Sequence, residues 1–330
     1  MNETEFEFLG ITKFHEKGYT GKNVTIASKE SILKNTFDDV ECSDYFTIKS
    51  KSAKHGTNVM DYIRQIVPNA RKIACSSTGS TVNDIWINPD FEKLLENPPQ
   101  VYTGSAFGTS DSKESHMVKY KALRDKGCLM CFGAGNEAES GCLNITKNDV
   151  FKAIAAYKLT NGQPKRETFS SIGEEVDFAS LDNLKATWTG ARNKGTSFSS
   201  PIFASMVALV QDFFIAKTGK QLPLDKLLQF IKDNCIDVES EGLDTKSGYG
   251  LFILPDPDCI EISKYTDIEE RNDDNMVTYK DLNDIPDWGK ETIQKLINKN
   301  ALKGDENGNL NISNDLLRTL VIHDRLGLYK

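Results

Sequence analysis

Residues 198–217, FSSPIFASMVALVQDFFIAK, place Ala, Val, Leu, Ile and Phe on most faces of a helix. A helix that is apolar nearly all round cannot lie on a surface and must be enclosed in the middle of a domain. The rest of the chain therefore has to supply layers on more than one side of it. At 330 residues there is enough chain for one large domain and a small one. Hydrophobic residues make up 38% and charged residues 27%, an ordinary balance for a packed, water-facing protein.

The stretches before this helix alternate in character. Asn23-Val-Thr-Ile-Ala, Ala70–Cys75, Val101–Phe107 and the run from 128 to 134 are β-branched or apolar and short, which predicts strands. Between them lie helical patterns: the segment opened by His55-Gly-Thr and closed by Pro68, then 82–98 and 112–127. Strands alternating with helices predict an α/β fold with a largely parallel sheet. Further short strands are expected at 151–157 and 176–179, a second helix at 223–234, and closure of the domain at Gly248-Tyr-Gly250. Composition shifts at Pro255-Asp-Pro257, and the charged run 269–275 reads as a linker. The expected organisation is a domain at 1–258, a linker at 259–275 and a small helical module at 276–330.

A net charge of −8 argues against nucleic acid as a partner, because there is no cationic footprint to release counterions. No stretch reads as the ~18-residue apolar run of a membrane helix, so no membrane partner is expected. The start, MNETEFEFLG, is acidic and lacks the basic and apolar segments of a secretory leader. The location expected from this is cytoplasmic, with a mature chain whose leader was trimmed as the other reading. Seven scattered cysteines do not form a disulfide framework. Cys128 and Cys131 have CxxC spacing but sit in an apolar run, and buried thiols are expected there rather than a redox or zinc pair. No metal site and no cofactor are expected.

Three short segments carry chemistry. Ser197, in Gly195-Thr-Ser-Phe-Ser-Ser-Pro201, directly precedes the apolar helix. A helix N-terminus points free N–H groups and partial positive charge at that hydroxyl, which suits a nucleophile; a simple helix cap is the other reading. His55 can accept a serine proton, or can be a structural histidine. Gly133-Ala-Gly-Asn-Glu137 ends an apolar strand, where Asn136 can donate to an oxyanion or merely shape a turn.

Together these segments resemble the subtilase family of serine endopeptidases, whose order is an acid, then His-Gly-Thr, a Gly-Asn turn and Gly-Thr-Ser-x-Ser/Ala-x-Pro. The resemblance runs over roughly 8–255, from Gly18-Tyr-Thr-Gly-Lys-Asn-Val24 through Phe169-Ser-Ser-Ile-Gly173. It implies a three-layer subtilisin-like fold, hydrolysis of peptide bonds, Ser197 as nucleophile, His55 as base, and Asn136 with the Ser197 N–H as oxyanion donors. It also implies that substrate backbone pairs with the edge at Ser105, Ala106, Phe107 and Gly108. Phe107 and Phe132 are either walls of the cleft or core aromatics. One position departs. Where the family has Asp-Ser/Thr-Gly, this chain has Glu30-Ser31-Ile32, with Asp38 and Asp39 as poorer candidates nearby. Glu30 is expected as the third triad member, with one methylene more to accommodate. The departure also motivates the alternative of a weak or inactive relative that keeps the cleft to bind or regulate. The calcium-loop ligands and the prodomain of secreted relatives are not seen, a pattern similar to intracellular members.

In the tail, helices are predicted after Pro286 and from Ser313. Asp305, Asn307 and Asn309 alternate like calcium ligands, but the glycine is misplaced and no closing glutamate follows. The segment resembles the S-layer-homology-like module of some clostridial phage cell-wall hydrolases. That likeness implies a bacterial or prophage origin and docking to a cell wall or a protein partner. A stabilising or dimerising appendage is the plainer reading.

Overall fold

The computed structural model describes residues 2–30, 32–33, 36–42, 51–75, 89–105, 114–266, 278–306 and 308–329. These form two compact units, Met1–Thr266 and Asp267–Lys330.

The first unit opens with two short helices, α1 (Glu3–Phe8) and α2 (Ile11–Glu16). It continues through β1 (Thr25–Lys29), β2 (Val40–Cys42), α3 (Lys51–Ile66), β3 (Arg71–Ala74), α4 (Pro89–Glu96) and β4 (Val101–Gly104). Then come α5 (Glu114–Asp125), β5 (Leu129–Gly133), β6 (Lys152–Thr160), β7 (Gln163–Arg166), β8 (Val176–Leu181), α6 (Thr196–Thr218), α7 (Leu224–Asp233), β9 (Cys235–Ile236) and β10 (Leu251–Phe252). The sheet runs β2-β3-β1-β4-β5-β6-β8-β10-β9, with β7 hairpinned onto β6. All of its neighbours are parallel except β6–β7 and β9–β10. The fold is α/β with a mostly parallel central sheet, as the alternation of strands and helices predicts.

The period-two alternation of strand side chains divides the interior into two cores. Ile26, Val101, Leu129 and Cys131 face a large core shared with α3, α6 and α7. Ala27, Tyr102, Met130 and Phe132 face a smaller one with Leu94 of α4 and Tyr120 of α5. Cys128 and Cys131 therefore point to opposite faces of the sheet, because three residues is an odd step. Burial pushes the Cys131 thiol up to about 12 and the Cys128 thiol well above its ordinary range. These are inert core thiols. Among the described residues, no group of three or more His, Cys, Asp or Glu side chains could hold a metal ion.

α6 is buried continuously from Phe198 to Phe214. Phe203 stacks on Phe178 of β8 at 5.4 Å and meets Phe252 of β10 edge-on at 5.8 Å. Each such side chain is worth about 1.5–3 kcal/mol on leaving water. By length and a mean hydropathy of 1.5, α6 is apolar enough to cross a membrane, which corrects the sequence expectation that no stretch would qualify. Its most apolar window is 94% buried inside the domain, as befits a core helix. The lone charge in its middle, Asp212, is also enclosed. Its carboxylate accepts from the N–H of Thr20, Gly21 and Asn23 and from Asn23 Nδ2, at 3.1, 2.8, 2.9 and 2.9 Å. This is why the Gly18–Val24 turn sits where it does: α6 caps the amides of the chain entering β1.

Residues up to 266 belong to this unit, because Tyr265 is buried against Phe230 and Phe214 at 5.0 and 6.2 Å. The second unit contains β11 (Thr278–Tyr279), α8 (Asp287–Asn298), β12 (Ile312–Ser313) and α9 (Asn314–Arg325), with β11 antiparallel to β12. Pro286 and Ser313 are the N-caps of the two helices, and the Ser313 hydroxyl accepts from Leu316 N at 3.2 Å. Ile285, Ile293, Leu296, Ile312, Leu317 and Val321 form its own core.

Asp212→Ala leaves three backbone N–H groups of the Gly18–Val24 turn without an acceptor, that of Gly21 buried and those of Thr20 and Asn23 part-buried. We expect a loss of about 3 kcal/mol, at roughly 1 kcal/mol or more per orphaned donor, read as a lower urea midpoint. Asp212→Asn should cost less.

Candidate active site

Ser197 is the second residue of α6 and lies above the end of β5. Two glycines permit this. Gly195, the N-cap, has φ +142°, a region side chains rarely adopt, and a Cβ there would come 3.1 Å from Ser197 Oγ. A Cβ on Gly133 would meet the Thr196 backbone at 2.7 Å, so β5 can run beneath the helix start only with glycine there.

His55 lies on α3. The helix begins at Lys51, so His55 sits on its second turn rather than opening it as the sequence suggested. Its Nε2 is 2.9 Å from Ser197 Oγ. Its Nδ1 is 3.4 Å from Glu30 Oε2. An ionised carboxylate only accepts, so Nδ1 carries the proton and Nε2 is left to accept from the serine hydroxyl. The Phe198 ring, 4.9 Å from the imidazole and tilted by 40°, forms one wall and itself leans on Tyr62 at 5.7 Å.

Glu30 directly follows β1 and is 1% exposed. Its Oε1 is buried with no hydrogen-bond partner among the described residues. The segment after it is tied to the histidine helix: Leu33 N donates to Thr57 Oγ1 at 3.0 Å, and Thr57 Oγ1 donates to Ala53 O at 2.6 Å. Ile32 is fully buried in the large core. An apolar anchor thus follows Glu30 and ties the turn into the core it shares with α3. Asp39 is engaged elsewhere, accepting from Arg64 at 2.6 Å and pairing with Lys72 at 3.2 Å. Burial works to lower the pKa of His55, but the charge and hydrogen bond of Glu30 outweigh it, and the imidazole is raised above its ordinary value.

Asn136 is exposed beyond the end of β5. Its Oδ1 accepts from Thr196 N at 2.9 Å and from Thr196 Oγ1 at 3.2 Å. That fixes the amide's orientation and leaves its NH₂ to donate. Asn136 N donates to Glu137 Oε2 at 2.7 Å, and Glu137 is in turn tied to Ser171. Ser105, at the end of β4, is half-buried; Ala106, Phe107 and Gly108 lie outside the described residues. Phe132 is fully buried in the smaller core, 4.6 Å from Phe151, and so is a core aromatic rather than a cleft wall. The sequence reading passed over Thr57, Glu137, Thr196 and Phe198. Thr57 and Thr196 stand inside the two motifs, two residues after His55 and directly before Ser197, and that placement is the available signal. Glu137 and Phe198 carry none.

Compared with known families, residues 43–250 match the Subtilase family. The chain belongs to the subtilase family. The match contains His55, Asn136 and Ser197 and begins after Glu30. This subtilase is 27% identical to the minor extracellular protease Epr of Bacillus subtilis over 278 residues, which are 76% of this chain and 41% of that protein. It is 27% identical to subtilisin NAT of Bacillus subtilis subsp. natto over 224 residues, 59% of this chain and 57% of that one. The chain thus spans about half the length of the curated relatives it matches. Among solved structures, the prenylagaramide maturation protease PagA superposes with a TM-score of 0.60 at 16% identity, covering 78% of this chain and 99% of that one. Fervidolysin from Fervidobacterium pennivorans, a keratinolytic enzyme related to subtilisin, gives 0.58 at 16% identity, covering 81% and 46%. At such identities these structures speak for the subtilisin-like fold alone.

In the subtilase, Glu30→Gln removes the charge and leaves burial to act by itself. We expect the His55 pKa to fall from its raised value to below the ordinary one, read from imidazole proton shifts on NMR titration. A raised folded-state pKa contributes stability that is full below pH ~6.5 and is lost as pH rises through the raised folded value. The variant, with its imidazole held below the ordinary value, should show the reverse and lose stability as pH falls below ~6.5.

Proposed function

We propose that this subtilase is a serine endopeptidase using Glu30, His55 and Ser197 as its triad, without a cofactor or metal. The 2.9 Å contact between His55 Nε2 and Ser197 Oγ is the observation that carries the reading. His55 takes the proton as Ser197 Oγ attacks a peptide carbonyl, and Glu30 stabilises the imidazolium. The oxyanion is received by Asn136 Nδ2 and Ser197 N–H, which sits in the first turn of α6 where backbone donors have no helical acceptor. His55 then gives its proton to the leaving amine, and water attacking by the reverse path frees Ser197. Polypeptide substrate pairs in extended form with Ser105–Gly108, the segment that follows β4.

The 3.4 Å gap between Nδ1 and Glu30 is long for a hydrogen bond and short enough to close on substrate binding. A fluorophosphonate should label the native protein and not Ser197→Ala. That substitution should also cut peptidase activity on the order of 10³-fold or more. A folded native protein that stays unlabelled defeats the reading and favours a binding role for the cleft.

We further propose that the second unit, resembling the S-layer-homology-like module of clostridial phage hydrolases, docks the enzyme to a cell wall or a protein partner. The same likeness favours a bacterial, prophage-borne origin. Support comes from exposed apolar side chains concentrated there: Trp288, Leu316, Ile322, Leu326 and Leu328. Trp288 and Ile322 line an open groove of about 400 Å³ with Arg318 and Arg325. The full chain should sediment with cell-wall sacculi, and Trp288→Ala should sediment several-fold less. Equal sedimentation of both removes the wall-docking proposal.

A further inference from the structure

Asp182 lies immediately beyond β8 and is fully buried. Its backbone N–H is held by Tyr157 O of β6 at 2.8 Å, so the residue is fixed in the sheet. Its Oδ2 accepts from Gly195 N at 2.9 Å. Its Oδ1 is buried and has no hydrogen-bond partner among the described residues. A buried carboxylate with one oxygen unsatisfied is costly, and most such groups in native proteins have a reason to be there.

The reason lies in the order of amides entering α6. Gly195 N–H goes to Asp182, and Thr196 N–H goes to Asn136 Oδ1. The next amide along is that of Ser197. Two acceptors thus claim the two preceding donors and turn the third toward the space beside the hydroxyl. Gly195 must also hold φ +142° for the turn to form, and its N–H bond is the side-chain contact that pins it there.

We propose that Asp182 is a positioning residue for the nucleophile: its ionised carboxylate anchors Gly195 and so sets the backbone from which Ser197 faces His55. This rests on Ser197 being the nucleophile. An ionised group accepts from Gly195 more strongly than a neutral one and gains from the positive end of α6. Several charges face it. Lys158 of β6 and Glu167, which follows β7, lie on one side, and Lys194 lies on the loop into α6. From α3 comes Tyr62, whose pKa its charge helps to raise. Lys158 and Lys194 are both drawn to Glu167, at 3.2 and 3.8 Å, which leaves Asp182 without a dedicated cation. Burial, helped by Glu167 and opposed by the Gly195 bond and the lysines, raises its pKa to about 7. Anchoring is then complete above that pH and weakens as pH falls through it.

Two measurements test this on the full chain. In the first, kcat/KM is followed against pH for the native protein and Asp182→Asn, which keeps the shape and an acceptor oxygen but not the charge. The native acidic limb should steepen toward a slope of two, from His55 and Asp182 together, and the variant limb should have a slope of one. At pH 8 the variant's kcat should be lower by roughly 10-fold with KM within about twofold, since misaiming a nucleophile acts on the chemical step. An unchanged slope with undiminished kcat overturns the proposal. In the second, the protein is labelled with ¹⁵N-glycine and the Gly195 amide shift is followed between pH 5 and 9. It should titrate near pH 7 in the native protein and not in Asp182→Asn. A flat native response, or the same response in both, overturns the proposal. This second readout needs no activity. A native protein that resists fluorophosphonate therefore removes the endopeptidase reading while leaving the Asp182 contact separately decided.

Discussion

Enclosure of α6 is the constraint on which the rest of the molecule depends. Phe198–Phe214 are buried without interruption, so the sheet must run under one side while α3 and the entry to β1 cover others. The same enclosure fixes the helix's first turn in space. Ser197 is at that turn, the polar start of an apolar rod. A shift of the rod along its axis would move the hydroxyl away from His55 before it exposed much surface, so core packing and the Ser197–His55 contact are one geometric problem.

The site gathers where parallel strands end. Glu30 follows β1, Ser105 follows β4, Asn136 lies beyond β5, and Asp182 follows β8. In a parallel sheet the carboxyl ends of the strands share one edge, and the loops leaving them face the same crevice. Each reactive group is then pinned by a polar bond to another segment: Leu33 to Thr57, Asn136 to Thr196, Gly195 to Asp182.

Much of this was legible beforehand. The strand and helix alternation, the central apolar helix and the three motif segments all show in residue patterns that local physics dictates. Glu30 stood out through the family resemblance, which puts it where the family has its acid, although nothing in the chain says that its carboxylate rests 3.4 Å from the imidazole. Some readings needed correction. The histidine helix starts one turn earlier than the pattern suggested, since Lys51-Ser-Ala-Lys carries little apolar signal. Phe132 looked as fit for a cleft wall as for the core, and only the parity of β5 sends it under Tyr120 and Phe151. The CxxC pair was settled by the same parity. Asp182 and Phe198 were invisible because they act through partners far away in sequence.

The sequence by itself determined the elements, their order and the residue types able to do chemistry, because periodicity, turn residues and helix starts are local properties. Tertiary structure decided which of those residues meet. His55 and Ser197 are 142 positions apart, and Asp182 and Gly195 are 13 apart. Such meetings depend on which face of a strand a side chain takes and on which atoms are left unclaimed once the core has closed, and both are settled only by packing.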